Sequence, residues 1–317
     1  MEPRGETVVI ALGGNAILQP GQRGTAEEQR ANIAQTAGAI VSLIEMGHRV
    51  VVTHGNGPQV GNILIQNEEG ADQVPAMPLD ICGAQSQGLI GYMIQQALRN
   101  ELLSRGRDPR VVSLVTQVVV DPADPAFDNP TKPVGPFYPA ARAEALAAER
   151  GWVMREVRAG QWRRVVPSPD PIRIVERDEI LALVESGVVV IASGGGGIPV
   201  TEGPGGVLRG VEAVVDKDLA GQRLAADIGA DTFAIFTDVD RVALAFGTPE
   251  QRFLDRMTVE EAKAYLEAGH FPPGSMGPKV TAVVRFLEGG GRRAVIASVR
   301  RAADALAGRA GTLVTRD

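Results

Sequence analysis

Three times in this chain a short, mostly β-branched run stops at glycine and gives way to a different pattern. Thr7–Leu12 ends in Gly13-Gly14-Asn15-Ala16, Arg49–Thr53 in His54-Gly55-Asn56-Gly57, and Val188–Ala192 in Ser193-Gly194-Gly195-Gly196-Gly197-Ile198-Pro199. Runs that are apolar at nearly every position, not at every second one, suit strands covered on both faces, hence a parallel sheet with helices above and below it. The intervening segments have the helical period. Thr25-Ala26-Glu27-Glu28 matches a capping box, and Ile33, Ala37, Ile40, Val41 and Ile44 form one face that closes at Gly47. Pro58 suits a first helical residue, a longer helix is expected from near Asp80 to Arg105, and Val111–Val120 and Phe233–Thr237 read as further strands. The fold class is therefore α/β, with an open, mostly parallel central sheet.

In such sheets ligands bind beyond the carboxyl ends of the strands, where all three glycine loops fall. Each of the first two taken alone is equally a tight turn or a set of backbone N–H groups open to an anion, and the four glycines of the third let backbone approach a phosphate or a small planar substrate closely. The third is not a dinucleotide fingerprint, because Pro199 stands where its last glycine should be. No G-x-x-x-x-G-K-[ST], G-x-S-x-G or H-E-x-x-H occurs, which removes the commonest NTPase, hydrolase and zinc-protease readings.

Two charged features look costly. Asp216-Lys217-Asp218 interrupts the apolar run Ala213–Ala220, so at least one charge should lie near a packed interior, where it must be paired or bound. The alternative is a solvated pair at a helix start. In Gly274-Ser275-Met276-Gly277-Pro278-Lys279, Pro278 marks a first helical turn, so the Lys279 charge opposes the helix dipole unless an anion is bound. Asp238-Val239-Asp240 follows a strand and is either a nucleotide rim or a solvated acidic turn.

Residues 121–171 break the rhythm, holding nine of the chain's 21 prolines. They read as an inserted subdomain on stiff hinges, with a short helix over Ala140–Glu149 and two hairpin-like segments at Trp152–Val157 and Trp162–Val166. Its first strip presents Lys132 on a restrained loop, either as a lid charge or as an ordinary exposed lysine.

With 317 residues the chain can bury a large core, and a net charge of -6 argues against nonspecific nucleic-acid binding. An anionic ligand then needs a locally positive pocket. The single cysteine, Cys82, allows no intrachain disulfide and reads as a buried apolar residue. Glu2, Glu6 and the early Gly13-Gly14-Asn15 spoil a signal peptide, and no apolar run is long enough for a membrane span, so a cytoplasmic protein is expected.

Phosphoryl transfer accounts for these features together. It needs donor and acceptor held in line and positive groups against the transferred oxygens, with no nucleophilic side chain or histidine base. His48, His54 and His270 are dispensable to it; His54 is either a ligand contact or, the reading preferred here, a packed or solvated histidine.

At this level of detail the chain resembles the carbamate kinases of the amino-acid kinase family, essentially end to end. The likeness is carried by Ala11–Ala16, His54–Gly61, Thr116–Pro122, Pro130–Pro133, Trp162–Pro169, Gly194–Pro199, Gly210–Asp218 and Gly274–Lys279, in that order. It implies a three-layer αβα sandwich with a small protruding subdomain. It further implies one amino-acid kinase domain over 1–317, with a carbamate-binding lobe over about 1–205, the insert over about 121–171, and a nucleotide-binding lobe over about 206–317. The implied reaction is carbamoyl phosphate plus ADP giving ATP plus carbamate, with Mg2+ accompanying the nucleotide, in a cytoplasmic homodimer of arginine metabolism. By the same likeness Lys132, Lys217 and Lys279 are catalytic and Asp218 organises the lysines, Lys132 taking over a charge that the wider family carries where this chain has Ala11. Gly13, Gly14, Asn15, Gly55, Asn56, Gly57 and Gly194, Gly195, Gly196 and Gly197 would cradle carbamate and phosphate. Asp216, Thr237, Asp238, Val239, Met276, Gly277 and Pro278 would line the nucleotide site, with the metal ligands unassigned. The alternatives are a kinase of the same fold for another small acid or phosphate, and a nucleotide-binding regulator without turnover.

Overall fold

The computed structural model describes residues 5–272 and 274–317; Glu2 lies outside them. Its centre is an eight-stranded sheet in the order Arg256–Thr258, Thr312–Thr315, Arg293–Ser298, Thr232–Thr237, Thr7–Leu12, Arg49–His54, Val189–Ile191, Val111–Ser113. The last six run parallel, while Thr312–Thr315 opposes Arg293–Ser298 and carries Arg256–Thr258 at the edge. The first strand explains the layering. Every residue from Val8 to Leu12 is at most 1% exposed, yet Val9 and Ala11 join one core while Val8, Ile10 and Leu12 join another. A strand with no wet face has to be apolar throughout.

The first core is closed by helices Arg177–Glu185, Lys217–Asp227, Val259–Glu267 and Met276–Glu288, the second by helices Ala26–Glu45, Leu79–Ser104 and Ala302–Leu306. Both halves of the Thr25/Glu28 capping box form, and Gly47 follows the first long helix at φ 89°. None of the described helices is long and apolar enough to cross a membrane.

Two expectations need correction. Val111–Val120 is not one strand. Val111–Ser113 ends the main sheet, and Gln117–Val120 enters a separate four-stranded sheet with Leu208–Gly210, Ile198–Glu202 and Pro171–Ile174. The break is made by a side chain, since Gln87 accepts from the Thr116 amide (2.8 Å) and donates to the Thr116 and Gly194 carbonyls (3.1 and 3.0 Å). The two hairpin-like segments of the insert are in fact one hairpin, Met154–Arg158 with Gln161–Val166. Lys132–Tyr138 pairs with its second strand, and helix Ala140–Arg150 packs beside it. This unit is fixed to the body by Arg164, which is stacked 4.5 Å from the Trp152 ring and paired with Glu212. A second tie is Tyr138, whose hydroxyl donates to Glu68 (2.6 Å). Cys82 sits beneath the insert, fully buried among Val60, Leu79, Val134 and Val166, and burial raises its thiol pKa.

Candidate active site

The costly run resolves at the start of helix Lys217–Asp227. Asp216 is the N-cap, its carboxylate accepting from the Asp218 amide (2.9 Å), so Lys217 and Asp218 become the first two helical residues. Asp218 is 3% exposed and holds a lysine on each oxygen. Lys217 Nζ donates at 2.6 Å and Lys279 Nζ at 2.9 Å. Lys132 comes across from the insert to donate to Asp216 at 3.0 Å. Two carboxylates two residues apart thus collect three lysines distant in sequence. Burial alone would raise the Asp218 carboxyl, but the two ammonium groups outweigh it and hold it below the usual range. Burial lowers the Lys217 pKa, with Asp218 opposing and Lys279 reinforcing the shift.

The lysines face a cleft of about 600 Å³ that is also lined by Gly14, Gly55, Asn56, Gly57, Asp216, Gly195, Pro278 and, from the insert, Arg163. Three helices begin at its walls: Gly57–Glu69, Lys217–Asp227 and Met276–Glu288. The first and third have no side-chain cap. Asn56 donates instead to Ser86 Oγ (2.8 Å), and Ser275 makes no cap bond. Each uncapped N-terminus carries about half a positive charge. The cleft therefore combines three lysines, an arginine and helix poles against two carboxylates, a positive site in a chain of net charge -6.

The glycines divide into two groups. The amides of Gly13, Gly55, Gly196 and Gly197 donate to the carbonyls of Phe236, Leu12, Ser193 and Gly194, so these residues shape the loops and do not offer donors. Gly14 and Asn15 open one 3-10 turn, and Gly194 and Gly195 another. Their amides precede the first internal bond of each turn and so lack a helical partner; of these residues Gly14 and Gly195 line the cleft, Asn15 lines a neighbouring cavity, and Gly194 is buried behind them. A Cβ on Gly195 would lie 2.1 Å from Asn56 Nδ2 and one on Gly196 2.2 Å from the Val215 carbonyl, both at positive φ, so neither position admits a side chain.

His54 lies under this loop at 1% exposure. Its Nδ1 faces the Gly55 carbonyl at 3.0 Å, which fixes that nitrogen as the donor, and burial, with Lys217 nearby, lowers its pKa to about 4. It is a neutral prop. The residues read as a nucleotide rim are not all on the lysine cleft. Asp238 accepts from Asn15 (3.0 Å) and from the Thr237 hydroxyl (3.0 Å) on the wall of a neighbouring cavity of about 580 Å³. Val239 lines neither cavity. Met276 packs on the core, and the Gly277 amide donates to the Pro272 carbonyl (3.1 Å), leaving Asp216 and Pro278 on the cleft. Arg163 has no motif of its own to announce it, only its place in the quoted Trp162–Pro169 segment. Among the described residues no group of three or more His, Cys, Asp or Glu side chains could hold a metal ion.

A family model described as the amino acid kinase family matches residues 6–298. A carbamate kinase of Thermococcus kodakarensis is 56% identical over 313 residues, covering 98% of this chain and 99% of the relative. One of Pyrococcus horikoshii is 55% identical over 312 residues with the same coverage. A solved carbamate kinase from Giardia lamblia bound to AMP-PNP superposes with a TM-score of 0.94 at 45% identity, over 99% of both chains.

Proposed function

This chain belongs to the amino acid kinase family, and from that premise we propose that it moves a phosphoryl group between carbamoyl phosphate and ADP, giving ATP and carbamate, reversibly. The observation that carries the reading is the convergence of Lys132, Lys217 and Lys279 on two adjacent carboxylates beside uncapped helix starts. In the forward direction an ADP β-phosphate oxygen forms the new bond to phosphorus, and the bond from phosphorus to the carbamate oxygen breaks with its electron pair leaving on carbamate. The attacking oxygen is already anionic and the leaving oxygen departs as the carbamate anion, so no proton moves and no side-chain base is needed.

Lys217 and Lys279 are assigned to the equatorial and bridging oxygens, where charge is redistributed. Asp218 keeps both ammonium groups aimed, and Asp216 does the same for Lys132. The free amides of Gly14, Asn15, Gly57, Gly194 and Gly195 are the expected phosphate and carbamate donors, with the other loop glycines shaping the backbone. ADP is expected to arrive as its Mg2+ complex. Asp216 and Asp218 are already engaged by lysines, which favours metal ligands from phosphate and water. Adenosine is assigned to the side of Thr237, Asp238, Val239 and the Met276–Pro278 turn. The carbamate-binding and nucleotide-binding lobes, with the insert as a lid, are part of the same reading.

So are a cytoplasmic location, a place in arginine metabolism and a homodimer. For the last, the exposed stripe Ile81, Leu89 and Tyr92 on helix Leu79–Ser104 is the face we assign to a second copy. A coupled assay with Mg2+, ADP and carbamoyl phosphate tests the reading. ATP formation that disappears in Lys217→Ala supports it, and a wild-type protein that binds nucleotide but makes no ATP overturns it.

A further inference from the structure

Among the described residues Arg163 is the one cleft cation without a carboxylate partner. Its Nε and Nη2 both donate to the Gly135 carbonyl, at 3.1 and 2.8 Å, and its guanidinium lies 5.1 Å from the Phe137 ring centroid. Among the described residues it has no carboxylate partner. Its neighbour Arg164 faces the other way and is paired with Glu212, and Lys132 is paired with Asp216. Burial, with no acid to oppose it, lowers the Arg163 pKa, so the charge is partly stripped of water without compensation. Two donors to one carbonyl and an aromatic plate fix the side chain, and Nη1 remains for a ligand. Lys132 pairs with Val166 in the insert sheet, so Arg163 stands three residues farther along the same strand, about 10 Å from that pair. Its side chain lines the same cleft as the three lysines, on a wall shared with Phe137, Gly135 and Ile65.

We propose that Arg163 is the receptor for the small phosphorylated substrate at the outer part of the cleft, taking the anion from solvent and passing it down to Lys132, on the insert wall and away from helix Met276–Glu288. This rests on the carbamoyl phosphate reading given above and adds to it a substrate-specific capture step. A capture site changes association and apparent affinity for one substrate, and it does so through charge.

The test compares Arg163→Gln, which can still donate to the Gly135 carbonyl, with Arg163→Lys, which keeps the charge but not the fork. Expected for Arg163→Gln is a loss of about tenfold in kcat/KM for carbamoyl phosphate, with kcat and the KM for ADP within about twofold. That loss should shrink at 0.5 M potassium chloride, where charges are screened beyond about 4 Å, and Arg163→Lys should recover most of it. A salt-independent loss that affects both substrates alike, or no loss, overturns the proposal and makes Arg163 a brace for the Gly135 turn. The second arm does not need turnover. Inorganic phosphate should raise the melting temperature of wild type more than that of Arg163→Gln. If wild type makes no ATP while this difference persists, the reaction is misassigned and the anion receptor stands. If phosphate stabilises both equally, the receptor claim falls.

Discussion

Replacing Asp218 by asparagine isolates the interaction on which the site depends. The side chain keeps its size, but the charge between Lys217 and Lys279 is lost from a position only 3% exposed. With one ammonium on each oxygen, at 2.6 and 2.9 Å, the two cations stand about 5 Å apart. At an effective dielectric of about 20 they repel by about 3 kcal/mol once the carboxylate is gone, near the lower end of the ~3–5 kcal/mol measured when one partner of a buried pair is removed. For a domain of this size that is a fall of about 6 °C in Tm at pH 7. The sign of the pH dependence is the sharper test. Without its counter-charge Lys217 has a folded-state pKa well below its unfolded value, so between those two values the unfolded chain binds more protons and stability rises with pH. Asp218→Asn should therefore recover part of its lost Tm between pH 7 and 10. Thermal unfolding across that range, beside the coupled ATP assay, measures both. ATP synthesis should drop at least about a thousandfold, because neither lysine is held on the phosphoryl position. A variant with unchanged Tm, or one that grows less stable as pH rises from 7 to 9, refutes the shared-carboxylate account.

Lys132→Met keeps the side-chain length and removes the charge from the insert, so kcat should fall about a hundredfold or more with Tm within about 2 °C, the paired lysine being 36% exposed. Gly196→Ala places a methyl 2.2 Å from the Val215 carbonyl at φ 97°, and differential scanning calorimetry should find a loss of about 3 kcal/mol or more, or no folded protein. In the wild type, catalysis requires Lys217 protonated, and burial lowers its pKa. The rate should thus fall on the alkaline side at a pH below that of an ordinary lysine, a limb that kcat against pH at saturating substrates would locate. Asp216→Asn retains an N-cap acceptor while Asp216→Ala does not, so unfolding free energy should differ between them by about 1 kcal/mol of capping while both lose activity alike through Lys132.

The layered fold was legible because each signal was local. Strands buried on both faces must be apolar throughout, and the Thr25/Glu28 cap needs only four residues to be recognised. The cost of Asp216-Lys217-Asp218 was legible too, since charges inside an apolar run imply a partner. What stayed hidden depends on distant side chains. Nothing in Val111–Val120 says that Gln87, on another element, will take the Thr116 amide and split the run between two sheets. A glycine motif likewise does not show which amides the fold will use. Gly13 and Gly14 look alike in sequence, yet the Gly13 amide belongs to Phe236 while Gly14 lines the cleft. Arg163 becomes noticeable only when the hairpin sets it against Gly135 and Phe137 with, among the described residues, no acid paired to it.

The pairing pattern also explains how a cationic site persists in the folded protein before any phosphate is bound. Three ammonium groups and uncapped helix poles around one cleft would repel one another if left alone. Acids reaching in from several loops could neutralise them, but each would then compete with the incoming ligand from a different direction. Here both carboxylates come from the start of one helix, Asp216 as its cap and Asp218 two residues on, so all three lysines are held from one wall of the cleft. An ammonium has three donors, and one bond to a buried carboxylate leaves the others for phosphate oxygens. The acids therefore hold the lysines in place without occupying the position they serve, and the donors need little rearrangement when phosphoryl charge is redistributed.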